Sequence, residues 1–134
     1  MDRLEVSIEG TDKLRATFQR LIRAVGPDKA EPILLGGAKR MRDALREYAP
    51  RGPTGRLKRS PVARQMPRRH NLPSMAIAAI DRKVAPHAEI VERGTSRMSG
   101  RFYFRRAVEG TYGQIEGDMI RDLKRELERA KHGY

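Results

Sequence analysis

Side chains able to do chemistry are few in this chain, and their spacing narrows the choices at once. It has three histidines and no cysteine. His70, His87 and His132 stand far apart, and none has metal-ligand spacing with another or with a carboxylate. Solvent-facing or structural roles are the better reading for all three. Without cysteine there is no thiolate nucleophile and no disulfide. No Gly-x-Ser-x-Gly elbow occurs. Glu89 and Glu92 flank one short segment, but a two-carboxylate hydrolase needs supporting groups that are missing. Residues 52–55 resemble a phosphate loop in composition alone, because the Gly-Lys-Ser/Thr ending is absent. No catalytic centre, metal site or cofactor is expected, so the chain reads as a non-enzyme.

What remains is basic charge. Residues 49–60 read Ala-Pro-Arg-Gly-Pro-Thr-Gly-Arg-Leu-Lys-Arg-Ser, with no acid among them. Two prolines and two glycines shape the loop. The chain has 134 residues and a formal net charge of +12. Residues 51–106 hold 14 of the 29 basic residues and 3 of the 17 acidic ones. Most of these bases are arginine, which suits planar contacts to phosphate or carboxylate. Nucleic acid, an acidic protein surface or an anionic membrane face are the natural partners; a merely solvated surface is the plain alternative. Candidate contacts to a partner or to DNA are Arg51, Arg56, Lys58, Arg59, Arg64, Arg68 and Arg69. A second candidate is the cluster 101–106, where bases could stack on Phe102 or Phe104. Because aromatics are scarce here, the favoured reading has both phenylalanines anchoring the last helix in the core.

These residues need a frame, and periodicity supplies one. Leu4, Val6 and Ile8 alternate with polar residues in a short strand closed by Gly10. Thr11 or Asp12 caps a helix whose Leu14, Phe18, Leu21, Ile22 and Val25 form one stripe, ending at Gly26-Pro27. Pro32 suits the first turn of a second helix, whose Leu34, Ala38, Met41, Leu45 and Tyr48 lie on one face and which stops before Pro50. Residues 57–64 read as a strand or its approach, and 65–74 as a loop expected to be mobile. Residues 75–81 read as a strand and 87–93 as its antiparallel partner, with a small-residue loop at 94–100. A long helix follows on Val108, Tyr112, Ile115, Met119, Leu123 and Leu127. Gly110, Gly113 and Gly117 either fray it or admit a close neighbour. Gly133 stops it. The order β-α-α-β-β-β-α predicts an α+β fold: a small antiparallel sheet packed against two N-terminal helices and one long C-terminal helix. One domain is expected over 1–134. No apolar run approaches a membrane span, and residues 1–10 lack a secretory core. A soluble protein made in a cytoplasm is the expectation.

Three segments together resemble one family. Tyr48-Ala-Pro-Arg-Gly-Pro-Thr-Gly-Arg-Leu-Lys-Arg-Ser is similar to its "Ala-Pro, short insert, Thr-Gly-x-Leu-x-x-Ser" signature. Ala88-Glu-Ile-Val-Glu-Arg-Gly-Thr resembles "Val-Glu-x-Gly-Thr". Arg101-Phe-Tyr-Phe-Arg-Arg-Ala resembles the lead-in to the last helix. This is the small tail-component family of long-tailed phages and prophages, acting at the head–tail junction as neck or tail-completion proteins. Departures are Arg101 and Arg106 where prolines are common, Arg93 where an aromatic is common, and an expanded stretch at 65–73. The resemblance gives family-motif structural roles to Pro50, Thr54, Gly55, Leu57, Ser60, Glu92, Gly94, Thr95, Phe102 and Ala107. It implies a virion protein without enzymatic activity. Its subunits would form a homomeric ring, taken as a hexamer, between the tail-tube or tail-terminator protein and the head-closure connector. Double-stranded DNA would pass nonspecifically through the lumen, and no membrane would be involved. A sequence-nonspecific DNA-binding module is the alternative.

Overall fold

The computed structural model describes residues 5–7, 12–52, 54–69 and 74–131, and the side chains of all of these except 5–7 and 12–15. Leu4, Ile8, Gly10, Thr11, His70, His132 and Gly133 lie outside the described residues, so the readings made on them do not bear on the structure. The order is β1 (Glu5–Ser7), α1 (Asp12–Val25), α2 (Pro27–Tyr48), α3 (Arg56–Arg59), β2 (Pro61–Gln65), β3 (Ala76–Ile80), α4 (Ala88–Arg93), β4 (Gly94–Thr95), β5 (Met98–Ser99) and α5 (Tyr103–Lys131). The fold is α+β, with two N-terminal helices and a long C-terminal one. β1, β3 and β2 form an antiparallel sheet in that spatial order, and β4 and β5 form a small hairpin.

α2 is the central element, packed against β2 and β3 on one side and against α5 on another. Its Leu34, Ala38, Met41 and Leu45 are fully buried, as the stripe predicts. It starts at Pro27 rather than near Pro32, because Pro27 occupies the first turn, where its missing N–H costs nothing. Pro32 then sits inside the helix, exposed, while the packing of Ala30 and Leu34 carries the helix past it. β3 reads Ala-Ile-Ala-Ala-Ile, and alanine is a poor strand former. Its Ala76, Ala78 and Ile80 join the core, and the small side chains let α2 lie close to the sheet.

Residues 87–93 form a helix where the sequence predicts a strand. Both edges of β3 are already taken, by β1 and by β2. The segment buries Ala88 and Glu92 with Val91 half-buried, a helical spacing, and leaves Ile90 at 51% exposure. The loop expected at 94–100 contains the β4–β5 hairpin, and the strand approach at 57–64 begins with the helical turn α3. Gln65 closes β2, and its side chain donates to the Met75 carbonyl at 2.8 Å, so the base of the 65–74 segment is tied.

α2 and α5 run antiparallel. A Cβ on Gly37 would overlap the Met119 thioether, Arg40 pairs with Asp118 at 2.8 Å, and the Tyr48 hydroxyl lies against Gly110. Gly110 therefore admits a close neighbour, while Gly113 and Gly117 face open space. Leu123 is fully buried in the core. Leu123→Ala is expected to cost about 2–5 kcal/mol in denaturant unfolding; a loss below about 1 kcal/mol would show that α5 packs loosely there.

Candidate functional site

The antiparallel α2–α5 pair puts the C-terminus of α2 and the N-terminus of α5 at one end of the molecule. The loop after α2 and the segment before α5 therefore lie there. Ser60 ties the loop to the end of β3: its carbonyl accepts the Asp81 N–H at 2.8 Å, and its buried hydroxyl donates to the Leu57 carbonyl at 2.6 Å. All three motif segments of the sequence lie at this pole.

Each motif residue has a structural task in its segment. Ala49, pushed into extended backbone before Pro50, ends α2 and is buried. Thr54 Oγ1 accepts the Arg56 N–H at 3.3 Å, and Gly55 takes a left-handed conformation ahead of α3. Leu57 is buried beneath the loop. Thr95 Oγ1 accepts the Arg97 N–H at 3.2 Å across the hairpin turn. Gly94 has φ +80, and a Cβ there would overlap the backbone of Met98 and Gly100, so only glycine fits. Ala107 is fully buried on the first turns of α5.

Glu92 is the residue that locks this segment. It is 5% exposed, and its carboxylate accepts the N–H of Phe104 at 2.7 Å and of Arg105 at 3.1 Å. The Phe102 carbonyl accepts the first helical bond, from Arg106, so Phe102 is the N-cap of α5. Phenylalanine has no side-chain acceptor to cap with. Glu92, ten residues upstream, bonds the second and third helical N–H groups as a capping side chain would. Its charge also sits at the positive end of the helix dipole. Tyr103, fully buried beside it, has its phenol pushed upward from its ordinary pKa, first by burial and then by the Glu92 charge.

Phe102 departs from the core-anchor reading. Phe104 is buried as that reading expects and Tyr103 takes the other core place, while Phe102 is 40% exposed. Its φ is +49, which is costly for a bulky side chain. This left-handed residue turns the chain into α5 and leaves the ring outside. The Arg105 guanidinium lies 5.2 Å from the ring centroid, in cation–π range.

The structure divides the seven candidate cations. Arg51, Arg56, Lys58 and Arg59 are at the pole, but two of them serve the chain itself. Lys58 Nζ donates to the Arg46 and Glu47 carbonyls at 2.9 and 3.3 Å, capping α2, and Arg59 donates to the Thr54 carbonyl at 3.2 Å. Arg68 sits by the opposite end of α2. It grips Glu31 through two nitrogens and Asp28 at 2.8 Å, and holds the Glu31 carboxyl below its ordinary pKa. Arg64 lies exposed on β2, opposite Ile77 of β3. Arg51, Arg56, Arg64 and Arg69 have no acidic partner among the described residues. Arg93, Arg97, Arg101 and Arg106 join Arg51 and Arg56 at the pole, also without an acidic partner among the described residues. The charge of residues 51–106 announces these arginines only in sum.

Among the described residues no group of three or more His, Cys, Asp or Glu could hold a metal ion. His87 is exposed, just before α4. No described helix is long and apolar enough to cross a membrane. No family model, curated protein or solved structure matches the chain.

Two substitutions test this geometry. Glu92→Ala leaves one buried and one part-buried N–H without their capping carboxylate and is expected to cost about 1–3 kcal/mol in denaturant unfolding, with Glu92→Gln losing less. An unchanged midpoint for Glu92→Ala would remove the cap from the account. Phe102→Gly relieves a left-handed strain of about 1–2 kcal/mol, so stability is expected to hold or rise; a loss of about 3 kcal/mol, the scale of a core phenylalanine, would place the ring in the core.

Proposed function

We propose that the chain is a structural, non-enzymatic subunit of the head–tail junction of a long-tailed phage particle: a neck or tail-completion ring that joins the tail tube to the head connector. One observation carries the reading. The three segments that resemble the family lie at one pole, and that pole also gathers arginines with no acidic partner among the described residues. Thr54, Gly55, Ser60, Glu92 and Gly94 each have a geometric task there, which suits a family pattern that defines subunit shape. A ring closes through heterologous contacts between identical subunits. DNA in its lumen meets phosphate-directed charge and no base readout. The virion is then its final location, after assembly in the host cytoplasm.

A sequence-nonspecific DNA-binding module is the second reading. It is favoured by the same arginines, which no described carboxylate neutralises. The two readings differ in solution. The module reading expects duplex binding by the isolated protein, with log affinity falling steeply against log salt.

The test is particle assembly with a double variant, Arg51→Glu with Arg56→Glu. Both side chains are exposed and outside the hydrogen bonds that shape the loop, so thermal stability is expected to stay within about 0.5 kcal/mol of the parent. Tail joining is expected to fail, leaving separate heads and tails in electron micrographs. Normal tailed particles from this variant, together with a chain that stays monomeric on isolated tails, would overturn the neck reading.

A further inference from the structure

Three large apolar side chains stand out of the described surface: Ile90 at 51% exposure, Met98 at 47% and Phe102 at 40%. All three belong to one hydrogen-bonded unit made of α4, the hairpin and the start of α5. The Arg101 N–H bonds the Val91 carbonyl at 2.8 Å, the Phe102 N–H bonds the Glu92 carbonyl at 2.9 Å, and Thr95 pairs with Met98. The same unit carries Arg93, Arg97, Arg101, Arg105 and Arg106, all exposed. Its two acids are already engaged, Glu89 with Arg82 and Glu92 with the N-terminus of α5. Phe102 is held outward in a left-handed conformation that a bulky side chain rarely adopts. Strained residues of this kind cluster at ligand clamps and switch regions.

From this surface we infer that the α4–hairpin unit docks an acidic segment of another protein, with Ile90, Met98 and Phe102 against apolar side chains and the five arginines against carboxylates. Methionine, phenylalanine and arginine are the residues that protein interfaces enrich. Duplex DNA would use the arginines, but its phosphate backbone has no use for Ile90 and Met98. Charge also argues against a second copy of this chain. Eight of its carboxylates are held in ion pairs: Asp28, Glu31, Asp43, Glu89, Asp118, Asp122, Glu126 and Glu128. Among the described residues, only Glu47 and Glu109 are exposed carboxylates outside such pairs and hydrogen bonds. The described residues therefore leave no acidic face to meet this one, and the chain as a whole stands at +12. The inference stands on this surface alone and does not depend on the neck reading.

The experiment titrates the full chain with four labelled probes and follows fluorescence anisotropy. They are an amphipathic Leu/Glu peptide, its Leu/Gln counterpart, polyglutamate and a mixed-sequence DNA duplex. The Leu/Glu peptide is expected to bind at least about tenfold more tightly than polyglutamate or the Leu/Gln peptide. Ile90→Ser with Met98→Ser is expected to weaken it about tenfold, the scale of losing apolar anchors, and to leave duplex binding unchanged. Methyl NMR on the unmodified chain gives a readout that needs no variant: the Ile90 and Met98 methyl signals should move first on adding the Leu/Glu peptide. Equal binding of polyglutamate and the Leu/Glu peptide would overturn the inference in favour of charge alone. Loss of duplex binding in the double variant would overturn it in favour of DNA. Loss of self-association there would overturn it in favour of a second copy.

Discussion

The contact that organises this molecule is the Glu92 carboxylate on the N-terminus of α5. Placing a charge at 5% exposure is expensive unless it is well bonded. Here two backbone N–H groups and a helix dipole offset the loss of water. The same bonds fix where a helix of 29 residues begins. A helix of that length spans about 43 Å, so its starting point and direction decide where every later residue lands. α5 then meets α2 through Gly37, Met119, Tyr48 and Gly110, and α2 in turn carries the sheet. The hairpin depends on the same place. With two residues per strand it has no independent stability. It persists because the chain on either side of it is tied, Phe102 N–H to the Glu92 carbonyl and Arg101 N–H to the Val91 carbonyl.

That arrangement determines the character of the pole. With Tyr103 and Phe104 turned inward, Phe102 has nowhere to go but out. With Ala88 and Glu92 turned inward, helical periodicity puts Ile90 outside. The apolar surface follows from the way α4 and α5 are joined. Charge at the pole is equally uneven in its uses. Lys58 and Arg59 hold backbone carbonyls, and Arg82 holds Glu89, so part of the basic excess maintains shape. The cations left over are those for which the described residues provide no carboxylate.

Much of the frame was legible from periodicity. α1, α2 and α5 each keep an apolar stripe for three turns or more, and that length excludes the strand period. The segment 87–93 was not legible in this way, because six or seven residues fit both periods. What decided it was occupancy: β1 returns from the far end of the sequence to cover the edge of β3, and no local pattern records that. The candidate site was legible in the same partial way. Thr54, Gly55 and Ser60 lie in a turn whose chemistry shows in its residues. Arg68 is bound to acids 37 and 40 residues away, which composition cannot reveal. For Glu92 a weak physical signal exists. A long helix preceded by Ser-Gly-Arg-Phe has no Ser, Thr, Asp or Asn at its cap, so an acceptor has to come from elsewhere in the chain.

In the proposed ring, a wall facing DNA and a face meeting a neighbour would have different chemistry. A DNA wall needs charge that tolerates water and salt, and it gains nothing from exposed aliphatic side chains. A docking face gains most from apolar anchors surrounded by groups that keep water out. The pole of this molecule carries both kinds of residue, but the exposed apolar anchors stand in one segment only. Arg51 and Arg56 stand on a proline- and glycine-shaped loop whose one large apolar residue, Leu57, is buried. Ile90, Met98 and Phe102 all belong to the unit held by Glu92. The division follows from the chain's own bonding: the loop spends its apolar residue on its own core, and the α4–hairpin unit, too small to bury its own, leaves three in the open.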